Sequence, residues 1–184
     1  MLEAVHPDLV TRAQAGDPTA TGELYDHFHL SVFRYLYYRV GDPHSAEDLT
    51  SEVFLRVIRS INSYHVQNVA FEAWLFQIAR NLAIDHYRKS NGKIHLSLEE
   101  DMIAEKDDPA RNLDHKLNSD MLVQALAKLT DIQRDVIVMR FINGLPIAQV
   151  AQALHRSENA IKALQRRALG ALRVILTEWE VTYV

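Results

Sequence analysis

Apolar residues return every three or four positions along almost the whole chain. Few segments alternate with period two, and six glycines and five prolines in 184 residues leave little to interrupt the pattern. That spacing predicts an all-α fold. A short first helix starts near Asp8 and ends at Gly16. A second runs from about Thr19 to Val40 with Leu24, Phe28, Val32, Phe33, Leu36 and Val40 on one stripe, and Gly41 closes it. Asp42 then caps a third helix with Pro43 in its first turn, where a missing N–H costs nothing. Ala46, Leu49, Val53, Val57 and Ile61 line its buried side. A loop from about Asn62 to Ala70 leads into a fourth helix that packs Phe71, Trp74, Leu75, Ile78, Leu82 and Tyr87 inward. Its outer face carries Arg80, Asn81, Arg88 and Lys89.

From Ser90 to about Leu113 the periodicity dissolves into Gly92, Pro109 and the run Glu99-Glu100-Asp101. The expected organisation is therefore two helical domains, 1–90 and 118–184, joined by a linker over 91–117. The second domain opens with a helix from about Asn118 to Leu129. Thr130 and Gln133 then have the spacing of a capping box, for a helix ending at Asn143-Gly144.

Leu145 to Arg167 follows as a helix-turn-helix, two short amphipathic runs meeting at a capped turn. Ile147, Val150, Ala151 and Leu154 share one face of the first run, and small Ala151 permits a close crossing. Ser157 is placed to accept the free N–H groups that open the second run. Ile161, Leu164 and Ala168 face the core there. Lys162, Gln165, Arg166 and Arg167 are left to meet phosphates or base edges in a major groove.

The formal net charge of −4 argues against a protein that grips nucleic acid by charge alone. The signs are segregated, however. Acids gather at Glu47, Asp48 and Glu52 and from Glu99 to Asp108, and bases at Arg80, Arg88 and Lys89 and from Arg156 to Arg173. Such a chain offers one face to DNA and another to a protein. The absence of cysteine excludes disulfides, thiolate metal sites and a cysteine nucleophile. His27 and His29 would leave a helix about 160° apart and cannot share one ion, so no metal and no cofactor is expected. No apolar run reaches bilayer length, and Met1 to Pro7 lacks the basic and apolar blocks of a secretion signal. A cytoplasmic protein without membrane insertion is expected.

Four segments, in this order, resemble the sigma-70 family of RNA polymerase sigma factors, in particular its extracytoplasmic-function (ECF) group, which keeps only the helical domains called region 2 and region 4. They are Ala46 to Val57, Phe71 to Asp85, Leu129 to Ile137 and the helix-turn-helix. The resemblance implies a non-enzymatic protein that binds core RNA polymerase, directs it to particular promoters and helps to open the duplex. It assigns Asp48, Leu49, Glu52, Phe54 and Arg56 to the polymerase interface. It places Asn81 at the flipped base of the minus-ten element, with Tyr64 and the loop to Ala70 shaping the pocket and Arg80, Arg88 and Lys89 on the strand. Glu158, Asn159, Lys162, Gln165, Arg166 and Arg167 fall near the minus-thirty-five duplex. The loop lacks the glycine often found in the family, and Leu164 stands where the family usually has a base. An anti-sigma factor is a further implied partner. The alternative is a stand-alone regulator that reads an operator with the same helix-turn-helix and needs no polymerase.

Overall fold

The computed structural model describes residues 7–65, 69–89 and 120–182, and every regular element among them is helical. The helices are α1 (Pro7–Gln14), α2 (Pro18–Val40), α3 (Pro43–Ser60), α4 (Phe71–Lys89), α5 (residues 120–127), α6 (Asp131–Ile137), α7 (Ile147–Ala153) and α8 (Glu158–Thr182), with a 3-10 turn at Ile61–Ser63. The expected linker 91–117 and loop residues 66–68 lie outside the described residues.

Helix ends follow local chemistry. Asp17, slightly ahead of the expected start, caps α2 by accepting from the Thr19 N–H at 2.9 Å, with Pro18 as first residue. Asp42 caps α3 in the same way, accepting from the Ser45 N–H at 2.7 Å ahead of Pro43. Between them Gly41 sits at φ 81° and donates its N–H to the Tyr37 carbonyl at 2.8 Å. A Cβ there would cost roughly 1–2 kcal/mol.

The predicted stripes form the core of the first half. Leu24, Phe28, Val32 and Leu36 of α2 are at most 2% exposed, packed with Ala46 and Val53 of α3 and Leu75, Phe76 and Ala79 of α4. Each Leu or Phe so buried contributes about 1.5–3 kcal/mol. The α4 stripe ends at Ala83: Tyr87, expected inward, lies one turn further on in the last turns of the helix and is 38% exposed.

In the second half Gln133 Oε1 accepts from the Thr130 N–H at 3.1 Å, closing the expected capping box on α6. The helix does not run on regularly to Asn143. It widens into a π turn at Val138–Ile142, in which the Asn143 N–H reaches the Val138 carbonyl five residues back. The wide turn keeps Val138 and Met139 in the core while Arg140 reaches α8. Trp179 packs partly buried on this core, with the Lys128 ammonium 5.1 Å from its ring centre. The halves touch: α7 lies on α4, and the π turn lies against α2.

Candidate nucleic-acid interface

α7 and α8 form the predicted helix-turn-helix. Val150, Ala151, Ala153 and Leu154 are buried, and the turn closes through the Arg156 N–H on the Ala151 carbonyl at 2.9 Å. His155 takes φ 50° in that turn, a conformation in which His is tolerated better than most side chains. Ser157 Oγ accepts from the Ala160 N–H at 3.2 Å, which supplies the expected cap of α8. Ile161 and Ala168 are fully buried and Leu164 partly so. Glu158, Asn159, Lys162, Arg166 and Arg167 are therefore turned to solvent on the opposite face. Gln165 is half-buried, its carbonyl oxygen 3.4 Å from Arg140 Nε, and Arg140 also donates to the Leu145 carbonyl. Of the six predicted duplex residues, five are open and Gln165 is held at the edge.

On α4, Asn81, Arg88 and Lys89 are exposed. Tyr64 is not presented to a base. It is buried between Phe71 and Trp74, with its hydroxyl donating at 2.6 Å to the carbonyl of Val69, two residues ahead of α4. Burial, and after it the Glu72 carboxylate, push its phenol above the ordinary value. Arg80 is also not free: its Nε donates to Asp135 Oδ2 at 2.8 Å.

α3 presents acids, as expected. Glu47 and Asp48 are exposed, Leu49 is half-buried, and Glu52 pairs with Arg56 at 3.2 Å one turn along. Phe54 corrects the expectation, because it is buried against the Tyr25 ring, with centroids 4.7 Å apart. Leu55 and Ile58, 46% and 54% exposed, supply the apolar surface beside those acids. The spacing Asp48, Glu52, Leu55 places the three on one face and was the available signal for Leu55.

The largest feature that sequence reasoning missed joins the halves. Asp135 of α6 is 0% exposed, and its acceptors face three groups of the first half. The Tyr35 hydroxyl donates to Oδ1 at 2.9 Å, Arg80 Nε donates to Oδ2 at 2.8 Å, and Arg39 Nε lies 3.1 Å from Oδ1 as a charge contact without hydrogen-bond alignment. Arg39 Nη1 bonds Asp131 at 2.9 Å. Burial works against the Arg39 charge, but Asp135 and then Asp131 outweigh it and leave its affinity for the proton raised. The Tyr35 phenol is pushed far up, by burial first and by the Asp135 charge second. Further along the contact, Gln152 Oε1 accepts from the Ala70 N–H at 3.2 Å, Gln149 donates to Glu72 at 3.4 Å, and the Gln77 amide nitrogen lies 2.6 Å from His155 Nε2. No single-sequence signal announces pairs 55 to 100 residues apart.

Among the described residues no group of three or more His, Asp or Glu is placed to hold a metal, and no helix is long and apolar enough to cross a membrane. Residues 24–93 match sigma-70 region 2 and residues 125–174 match sigma-70 region 4. The chain is 40% identical over 173 residues to the ECF RNA polymerase sigma factor BldN of Streptomyces coelicolor, covering 93% of this chain and 66% of that relative's length. It is 34% identical over 161 residues to SigX of Bacillus subtilis, covering 82% and 80% of the two chains. It is 32% identical over 177 residues to ShbA of Streptomyces griseus subsp. griseus, covering 91% and 93%. The fold is that of CnrH, solved in complex with the cytosolic domain of CnrY, with TM-score 0.74, 22% identity and coverage of 93% of this chain and 96% of that one.

Proposed function

We propose, because the chain belongs to the sigma-70 family and within it to the ECF RNA polymerase sigma factors that direct core polymerase to promoters, that its two halves divide promoter recognition between them. The first half, residues 1–90, holds the polymerase through the α3 face of Asp48, Leu49, Glu52, Arg56 and Leu55 and reads the minus-ten strand with Asn81, Arg88 and Lys89. Residues 91–117 link it to the second half, 118–184, which lays α8 into the minus-thirty-five major groove with Lys162, Arg166 and Arg167. The chain supplies no bond chemistry of its own and acts in the cytoplasm. One observation carries the reading: a capped helix, buried on Ile161 and Ala168, turns Lys162, Arg166 and Arg167 to solvent behind a helix-turn-helix. The stand-alone regulator is set aside, because the region 2 match and the full-length likeness to sigma factors account for the first half as well. CnrH was solved with a piece of CnrY and the Bartonella quintana sigma factor RpoE with the anti-sigma factor NepR, and an inhibitor of that kind is a proposed partner here.

Run-off transcription by core polymerase on a promoter library, with and without the chain, tests the assignment. Specific initiation is expected only with the chain, lost in Asp48→Arg through polymerase binding and in Asn81→Ala through strand opening. Initiation by Asp48→Arg at the unaltered level would remove α3 from the polymerase interface.

A further inference from the structure

The acids facing Arg39 and Arg80 in the closed chain, Asp131 and Asp135, both belong to the other half. When the halves part, the first half is left with two guanidinium groups and the Tyr35 hydroxyl converging on the place that the Asp135 carboxylate held. Freed of those carboxylates, the two cations are open to water or to another anion. A phosphodiester offers two charged oxygens to the same donors, and guanidinium groups bind phosphate and carboxylate through the same planar fork. The position suits a strand: Arg80 is next to exposed Asn81, and exposed Arg88 and Lys89 continue along the same helix.

We propose that Arg39 and Arg80, with the Tyr35 hydroxyl, form a phosphate site for single-stranded DNA on the first half, which Asp135 occupies in the closed chain. The carboxylate stands in for the phosphate, so closure and strand binding compete for the same cations. The Arg39 side chain is 4% exposed and Arg80 26% exposed in the closed state, and the site is therefore unavailable until α6 withdraws. A ligand that binds only the open state shifts the chain toward it by mass action. This deepens the minus-ten reading above and rests on it. It assigns Arg39, which the sequence did not single out, a place beside Arg80 in holding the strand.

The test uses the full chain and a fluorescently labelled oligothymidylate, followed by anisotropy at low salt. Asp135→Asn keeps the shape of the side chain and removes its charge, and is expected to bind at least about tenfold more tightly than the wild type. Arg39→Gln or Arg80→Gln in that background is expected to abolish the gain, as is an uncharged methylphosphonate backbone. A gain that survives both arginine replacements, or no gain in an Asp135→Asn chain of unchanged helicity, overturns the proposal. If Asp135→Asn fails to fold, the wild type decides alone: saturating oligothymidylate must increase its radius of gyration in X-ray scattering, and a complex as compact as the free chain overturns the proposal. Run-off transcription on the same preparations separates the two readings. Initiation alongside a failed oligonucleotide arm removes the phosphate site only, whereas failure of the wild type to initiate removes the minus-ten reading beneath it.

Discussion

Replacing Arg134 with lysine keeps the charge and most of the volume, yet it should destabilise the second half measurably. The Arg134 guanidinium is buried and donates to three backbone carbonyls: Leu126 at 2.9 Å and Ala127 at 3.0 Å, at the end of α5, and Arg39 at 3.1 Å, across the contact between the halves. A helix C-terminus leaves such carbonyls without partners, and a cation there also meets the negative end of the helix dipole. A hydrogen bond to a charged group is worth about 1.5–3 kcal/mol net. Three do not simply add, because burial and then the nearby Arg39 charge pull the Arg134 affinity for its proton down. Arg134→Ala should therefore cost about 3–5 kcal/mol, the range for removing one member of a buried charged network. A lysine ammonium cannot span all three acceptors, and Arg134→Lys should cost about 1.5–3 kcal/mol. Urea unfolding followed by far-ultraviolet circular dichroism measures both, and hydrogen exchange should show protection lost first in α5 and α6. A lysine variant within about 0.5 kcal/mol of the wild type would refute the reasoning, as would an alanine variant no worse than the lysine one.

Ser157→Ala removes the cap of α8 and should cost about 1 kcal/mol of stability, read as a lower urea midpoint; Ser157→Asp should restore it. Arg167→Ala should weaken promoter binding by the polymerase complex about equally on every promoter and lower the salt slope by about one, as loss of a phosphate contact does. Lys162→Ala or Arg166→Ala should instead cost about 1–3 kcal/mol on the preferred minus-thirty-five sequence and relax the choice at one base pair, seen in competition binding. Stability should also fall in acid. Burial raises Asp42 and Asp131, but hydrogen bonds from Ser45 to the first, and the Arg39 hydrogen bond and charge at the second, outweigh it and hold both carboxyls below their ordinary value. A depressed folded value gives stability that is complete above the unfolded value near pH 4 and lost as pH falls through the folded values beneath it. The urea midpoint should therefore be level from about pH 7 to 5 and fall below about pH 4, less steeply in Asp131→Asn.

Periodicity was a good guide wherever burial alone decides. The stripe from Leu24 to Leu36, the caps at Asp42, Thr130 and Ser157 and the burial of Ala151 follow from side-chain spacing and local hydrogen bonding, and all are found in the structure. Phe54 and Leu55 are adjacent on one helix, and helical spacing already separates them: Phe54 lies four residues from buried Thr50 and three from buried Val57, whereas Leu55 lies three from Glu52 on the acid face. The π turn at Val138–Ile142 was invisible because one extra residue in a turn leaves the apolar count unchanged. Asp135 was hidden for the opposite reason. An acid in an amphipathic helix reads as solvent-facing, and only its partners Arg39, Arg80 and Tyr35, distant in the chain, make its full burial tolerable.

The contact between the halves is fastened by Gln149 on Glu72, Gln152 on the Ala70 N–H, Gln77 on His155, and arginines on aspartates. Groups of this kind are as well served by water as by one another. Hydrogen bonds and ion pairs have preferred lengths and angles, so faces fastened in this way meet in one register and do not slide along each other.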